Sequence, residues 1–282
     1  MIQFAADKDI EQIKRLWVQA FGDSVESAAY FLTHCSRPDD ILIDQEGGNV
    51  CAMLTMLPLM LCFDGETVPA RYIYAVATDM AHRGQGRSTR LLSHAHSYMK
   101  QNGVAASLLV PASESLFAFY AQRGYQRAFS LSETAYEAAS LPVIGPDVSI
   151  DFCTPEEYAR IRQKAFAYNR PFAAWEDDML SRVMAYAHLF GGTFYHICTK
   201  DGEAAAFCVK EGDVAAVKEL ACAGVEEDKA VAALHTRLGA ARYRVRTEAG
   251  NKKYRFDFAM LYDLGTNQLP EFTNAYFNLA MD

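Results

Sequence analysis

The sequence predicts an α/β fold laid down twice in tandem, and three observations carry that reading. Residues 72 to 92 run from a β-prone apolar stretch through a basic, glycine-containing loop into a helix. Apolar runs joined by Gly47-Gly48 and Asp64-Gly65 place hairpin-linked strands just ahead of it. Beyond residue 147 the same order of strands and helices returns, the mark of an internal duplication.

Each element has its own local signal. Ile2 to Ala5 reads as a strand. Asp7 then precedes a helix with Ile10, Ile13, Leu16, Trp17 and Ala20 at helical spacing, closed by Gly22. A second helix starts near Ser24, turns Ala28, Phe31 and Leu32 inward and stops before Pro38. Strands follow at 41–45, 50–63 and 67–79, then a helix over 84–101 whose buried stripe is Leu91, Leu92, Ala95, Tyr98 and Met99. Strand 104–110, a short helix ending at Gly124 and strand 125–137 complete the first unit, residues 1–140. Leu141 to Pro146, with two prolines and a glycine, reads as the linker.

The second unit, 147–282, repeats the series. Strand 148–152 leads to Thr154-Pro155-Glu156-Glu157, an N-cap with proline at the first helical position and acids in the first turn. Helices are expected from there to about Ala167 and over 175–189. Strands at 193–199, 203–210 and 213–222, a helix over 226–238, strands at 242–247 and 254–262, and a packed final strand over Ala275 to Met281 follow.

A content of 51% hydrophobic and 22% charged residues describes a soluble globular chain. The seven cysteines lack any C-x-x-C pair and several lie in apolar runs, which favours a reduced, cytoplasmic setting over a disulfide framework. No basic leader precedes an apolar stretch, and no window is long and apolar enough to span a membrane. A net charge of −8 argues against a general nucleic-acid binder. His94 and His96 stand two apart on a helix and point to different sides, so they form no helical metal pair, and no metal is expected.

The chemistry lies in two blocks. In Arg83-Gly84-Gln85-Gly86-Arg87-Ser88-Thr89 the glycines let backbone N–H groups turn toward a ligand, and the following helix start adds its own unpaired donors, an arrangement that binds pyrophosphate. Arg83 and Arg87 supply charge-assisted contacts. The second block, Leu108 to Tyr125, is a strand, a polar turn and a short helix.

Together the blocks resemble the GNAT superfamily of acyl-CoA-dependent N-acyltransferases. Arg83, Gly86 and Ser88 fill its Arg/Gln-x-x-Gly-x-Gly/Ala loop, with Ser88 departing from the usual Gly/Ala. Tyr120, Gly124 and Tyr125 fill its Tyr-x-x-x-Gly-Phe/Tyr string, and Ser113 stands where many members have Asn. The two-unit plan and the string Arg71 to Thr78 look most like the enhanced-intracellular-survival type of tandem acetyltransferase, without its third, sterol-carrier-like domain. The resemblance implies two GNAT folds, each a mixed, largely antiparallel twisted sheet flanked by helices. The second is degenerate, because Ala-Gly-Val-Glu-Glu-Asp-Lys at 223–229 puts acids where a pyrophosphate needs donors.

The activity implied is acetyl transfer from acetyl-CoA to the primary amine of a small molecule or peptide. Backbone groups of Val76, Ala77 and Thr78 and the loop 83–89, with Ser113, would hold the cofactor, and Tyr120 would protonate the departing thiolate. Trp17, Phe21 and Phe31 belong either to the acceptor cleft or to the core. No glutamate lies on 72–78, which leaves water, the backbone or, by the resemblance, the terminal carboxylate of Asp282 as base. Two other classes share the pattern: a non-catalytic acyl-CoA sensor, and a tRNA-dependent aminoacyl transferase of tandem GNAT fold. Neither the acceptor nor the oligomeric state is written in the sequence.

Overall fold

A computed structural model describes the chain except residues 167–169, 250–253, 273–274, 280 and 282. It falls into two compact units: Met1–Met60, Val68–Gln126 and Met260–Leu269 form the first, and Leu61–Thr67, Arg127–Ala259 and Pro270–Asp282 the second. The units therefore divide the chain at other places than the contiguous halves 1–140 and 147–282. The stretch 141–146 lies within the second unit, where Leu141 and Ile144 pack on its core.

In the first unit β1 (Ile2–Phe4) leads through a 3-10 turn to α1 (Ile10–Phe21). The α1 residues Ile13, Leu16 and Trp17 are buried, and Gly22 ends the helix in the left-handed region at φ 75°. Ser24 caps α2 (Val25–Tyr30) by accepting from the Ser27 N–H, and a π-helical turn, Phe31–Cys35, follows. Then come β2 (Ile41–Glu46), β3 (Asn49–Phe63), β4 (Glu66–Thr78), α3 (Arg87–Gln101), β5 (Ala106–Leu109) and α4 (Glu114–Ala121). Between β3 and β4, Asp64 and Gly65 both take positive φ, the hairpin turn their identities require. The expected helix start at Gly84 moves to Arg87, because left-handed Gly84 and Gly86 cannot belong to a right-handed helix.

Alternation along β4 sets the layers. Ile73 joins Leu91, Leu92, Phe117 and Tyr120 in one cluster, so α3 and α4 cover that face. Tyr74 points the other way, against Trp17 and Phe31 of the α1–α2 region. The strand order is β1-β2-β3-β4-β5-β13, where β13 is Arg255–Asp263 and pairs antiparallel to β5 through Met260–Asp263. β4 and β5 run parallel.

The second unit holds β6 (Gln126–Glu137), β7 (Ser149–Phe152), α5 (Pro155–Phe166), β8 (Phe172–Ala174), α6 (Asp177–Leu189), β9 (Gly192–Cys198), β10 (Glu203–Glu211), β11 (Val214–Ala223), α7 (Glu227–Leu238) and β12 (Arg242–Glu248). Its order, β6-β12-β11-β10-β9-β7, mirrors the first, with β11 and β12 as the parallel pair. Each unit thus takes its last strand from the other half of the sequence. The three-residue β8 is too short to leave a periodic signal. The run from Ala275 makes isolated bridges, Phe129↔Ala275 and Phe172↔Tyr276, where a final strand was expected. Ala275, Tyr276, Phe277 and Leu279 are nonetheless buried, while Ala167 and Ala280 lie outside the described residues. Among the described residues no helix is long and apolar enough to cross a membrane.

Candidate active site

The ladder between β4 and β5 covers three residue pairs, Ala70↔Ala106 to Tyr72↔Leu108, and ends there. Three residues on, Ala75 sits at φ 52°, a left-handed conformation that costs a non-glycine residue of order 1–3 kcal/mol. The strand therefore bends where its parallel ladder has ended, and Val76, Ala77 and Thr78 come after the bend. Val76 and Thr78 are half-buried and Ala77 is buried, with Val76 packed against the cluster that contains Tyr120.

After Thr78 the chain is held by its own short bonds. The Asp79 N–H donates to the Cys51 carbonyl at 2.9 Å, and Asp79 Oδ1 accepts from the Ala81 N–H at 2.9 Å, fixing the turn Met80–His82. Gly84 (φ 74°) and Gly86 (φ 70°) then carry the loop into α3, and no heavy atom would lie within 4 Å of a Cβ at Gly84. Gly86 caps α3 without a side chain, so the N–H groups of Arg87, Ser88 and Thr89 begin the helix with no side-chain partner at that position. Open space, glycine backbone and an uncapped fifteen-residue helix fit a diphosphate.

The two loop arginines do different work. Arg83 is exposed, with Nε 3.3 Å from the Thr78 carbonyl. Arg87 is turned back and buried, paired with Asp44 at 3.1 Å and with Glu46. Arg90, which the loop motif does not include, donates to the Gln85 carbonyl at 2.8 Å and to Asp44 at 3.0 Å. Burial opposes the charge on Asp44, but hydrogen bonds from Arg90 and Arg87 outweigh it and hold the carboxyl below its ordinary range. Arg87 thus braces the loop from behind, where a direct phosphate contact was expected. One acid in the apolar run Ile41-Leu42-Ile43-Asp44 was the sequence signal for that partner.

Tyr120 lies on α4, 7% exposed, and burial pushes its phenol up to about 12 against the opposing influence of Arg123. Its hydroxyl has no hydrogen-bond partner among the described residues. Arg123 ties α4 to the first turn of α3: Nη2 donates to Thr89 Oγ1 at 2.7 Å, and the guanidinium lies 3.4 Å from the Phe119 ring centre. Thr89 is thereby engaged by protein. Gly124 has φ 88°, and a Cβ there would meet Tyr262 at 2.8 Å, so both conformation and space demand glycine. Tyr125 is a structural member of the string, its hydroxyl 2.7 Å from Ser107 and 2.9 Å from His96.

The remaining expected residues spread out. Ser113 is exposed at the start of α4, with Oγ 3.0 Å from that of Ser115. Trp17 and Phe31 are core, with the indole N–H donating to Asp23, while Phe21 is 44% exposed. Asp282 lies outside the described residues. In the second unit the equivalent helix, α7, opens with Glu227 and Asp228 in its first turn, and Ala75 has no left-handed counterpart on β11.

Residues 1–128 match the family described as the acetyltransferase (GNAT) domain. Solved structures extend the likeness to a tandem plan. A probable N-acyltransferase from Enterococcus faecalis is 15% identical, with a TM-score of 0.75 over 94% of this chain and 73% of its own. A GCN5-related N-acetyltransferase from Anabaena variabilis gives 16% and 0.75 over the same shares, 94% and 73%. Eis1 from Mycobacterium abscessus gives 13% and 0.67 over 94% and 74%. At these identities the likeness establishes the fold. No curated protein matches the sequence.

Proposed function

We propose that the first unit is an N-acetyltransferase that moves an acetyl group from acetyl-CoA to a primary amine. The observation that carries this reading is the bend at Ala75, set where the β4–β5 ladder ends and followed directly by the open glycine loop. Pantetheine fits beside Val76, Ala77 and Thr78, where backbone N–H groups can meet the thioester oxygen as it gains charge. The diphosphate fits the backbone of 84–89, with the exposed Arg83 beside it to add charge. The amine attacks the thioester carbonyl, the tetrahedral oxyanion collapses, and the carbon–sulfur bond breaks.

With its phenol near 12, Tyr120 is protonated at neutral pH. It is then a weaker acid than a thiol, whose ordinary value is about 8.5. Its hydroxyl therefore assists by hydrogen bonding to the sulfur as the thiolate forms, and the proton that the nitrogen sheds once the neutral amine has added, passed through water, makes up the thiol. This assistance separates the enzyme reading from a non-catalytic acyl-CoA sensor. The acidic helix start of α7 supports one cofactor per chain, and the net charge of −8 supports an acceptor that is not a nucleic acid. Seven free cysteines support a reducing, cytoplasmic setting.

The test is an acetylation assay with acetyl-CoA against a panel of small amines and peptides, following free thiol. Turnover with at least one amine is expected. Tight acetyl-CoA binding with no transfer to any of them would favour the sensor.

A further inference from the structure

Three ligating side chains meet at the base of the cofactor loop. Glu46 at the end of β2, Cys51 on β3 and His82 just before Arg83 each offer a donor atom, and these atoms all lie within 4.8 Å of one another. Cys51 is 1% exposed and His82 half-buried, while the Glu46 side chain is 65% exposed, so the cluster has a buried sulfur floor and a mouth open to solvent. Behind the imidazole stands Asp79, with Oδ1 3.2 Å from His82 Nδ1. A proton on Nδ1 donates to that carboxylate and leaves the lone pair on Nε2. A carboxylate backing a histidine in this way is the outer arrangement that orients metal-binding imidazoles.

We propose that Glu46, Cys51 and His82 form a binding site for a divalent transition-metal ion, zinc above all. A sulfur, a nitrogen and an oxygen donor suit Zn²⁺, whereas magnesium and calcium take oxygen alone. The thiolate and the carboxylate together neutralise the ion. Glu46 also pairs with Arg87, but a carboxylate has two oxygens and can serve a guanidinium with one and a cation with the other. Cys51 Sγ, now 3.4 Å from the Asn49 carbonyl, gives up its proton to solvent on binding. Water fills the fourth tetrahedral position. The ion would also tie the entry of the 83–89 loop to the β2–β3 hairpin and so tighten acetyl-CoA binding. That last consequence rests on the function proposed above; the site itself does not.

The test uses the full chain, stripped of metal with a chelator and titrated separately with Co²⁺ and Zn²⁺. One equivalent of each should bind, and the cobalt form should show thiolate-to-metal absorption with the intense visible bands of a tetrahedral site. Cys51→Ser should abolish the thiolate band, while Cys222→Ser, in the other unit, should leave it intact. Asp79→Asn keeps an amide oxygen to cap Ala81 and should weaken zinc about 10- to 100-fold. His82→Gln, at a half-buried position, should weaken it more and keeps the test open if Cys51→Ser fails to fold. A thiolate band that survives in Cys51→Ser, zinc affinity unchanged in His82→Gln, or no binding by the parent chain would overturn the site. Acetyl-CoA titrations with and without zinc form a separate arm: metal binding without acetyl-CoA binding upholds the site and rejects the proposed function.

Discussion

Arg87 and Asp44 stand 3.1 Å apart, with side chains only 6% and 4% exposed, so the arginine at the head of α3 is a brace between loop and sheet. Removing one partner of a buried pair strands the other charge, which costs about 3–5 kcal/mol. Asp44→Asn should therefore lower unfolding stability by that order and weaken acetyl-CoA binding with it. Glu46→Gln removes the exposed partner and should cost no more than about 1 kcal/mol. Denaturant unfolding of the two variants checks the contrast.

Arg83 and Arg87 should separate in the same experiments. Arg83→Ala removes an exposed side chain and is expected to weaken acetyl-CoA binding with the melting temperature unchanged. Arg87→Ala is expected to lower the melting temperature first. Equal affinity losses at parent stability in both variants would mean that both arginines hold phosphate.

His96 adds a pH signature. Burial holds its imidazole down at about 4, between Tyr125 and the stacked Tyr262 ring, against an ordinary value of about 6.5. The unfolded chain thus takes up a proton that the folded chain refuses. This contribution is complete above about pH 6.5 and fades as the pH falls toward 4, by on the order of 3 kcal/mol in all. Because carboxylates also titrate there, the readout is a difference: His96→Gln should lose less stability than the parent between pH 7 and pH 4.

Much of this was legible in the sequence because its signals are local. Asp64-Gly65, Gly22 and the Thr154-Pro155 start act within a turn, and the strands and helices they bound fall where those residues place them. The exchange of β6 and β13 was not legible, since an amphipathic strand carries no mark of which unit it joins. Nor was the role of Arg87, which depends on Asp44 forty-three residues away. The Glu46–Cys51–His82 cluster draws on three elements, beyond any spacing rule. Ala75 escaped because its left-handed backbone comes from the fold around it and not from its residue type.

Tyr120→Phe keeps the ring and its packing against Tyr125 while deleting the hydroxyl. Stability and acetyl-CoA affinity should hold, and kcat should fall by about 10²- to 10³-fold, the loss of one hydrogen-bond donor to the charge developing on sulfur. An unchanged rate and pH profile in the Phe variant would make Tyr120 a packing residue and leave the thiolate to water.

The claim that one acetyl-CoA binds on the loop 83–89 of the first unit is tested most directly by calorimetric titration of the parent chain and Gly86→Glu. The substitution puts bulk and negative charge where the diphosphate would lie, on a residue at φ 70°. One equivalent should bind to the parent and binding should be lost in the variant, with the fold retained. Parent-like affinity in Gly86→Glu, or two equivalents at saturation of the parent, would contradict the claim.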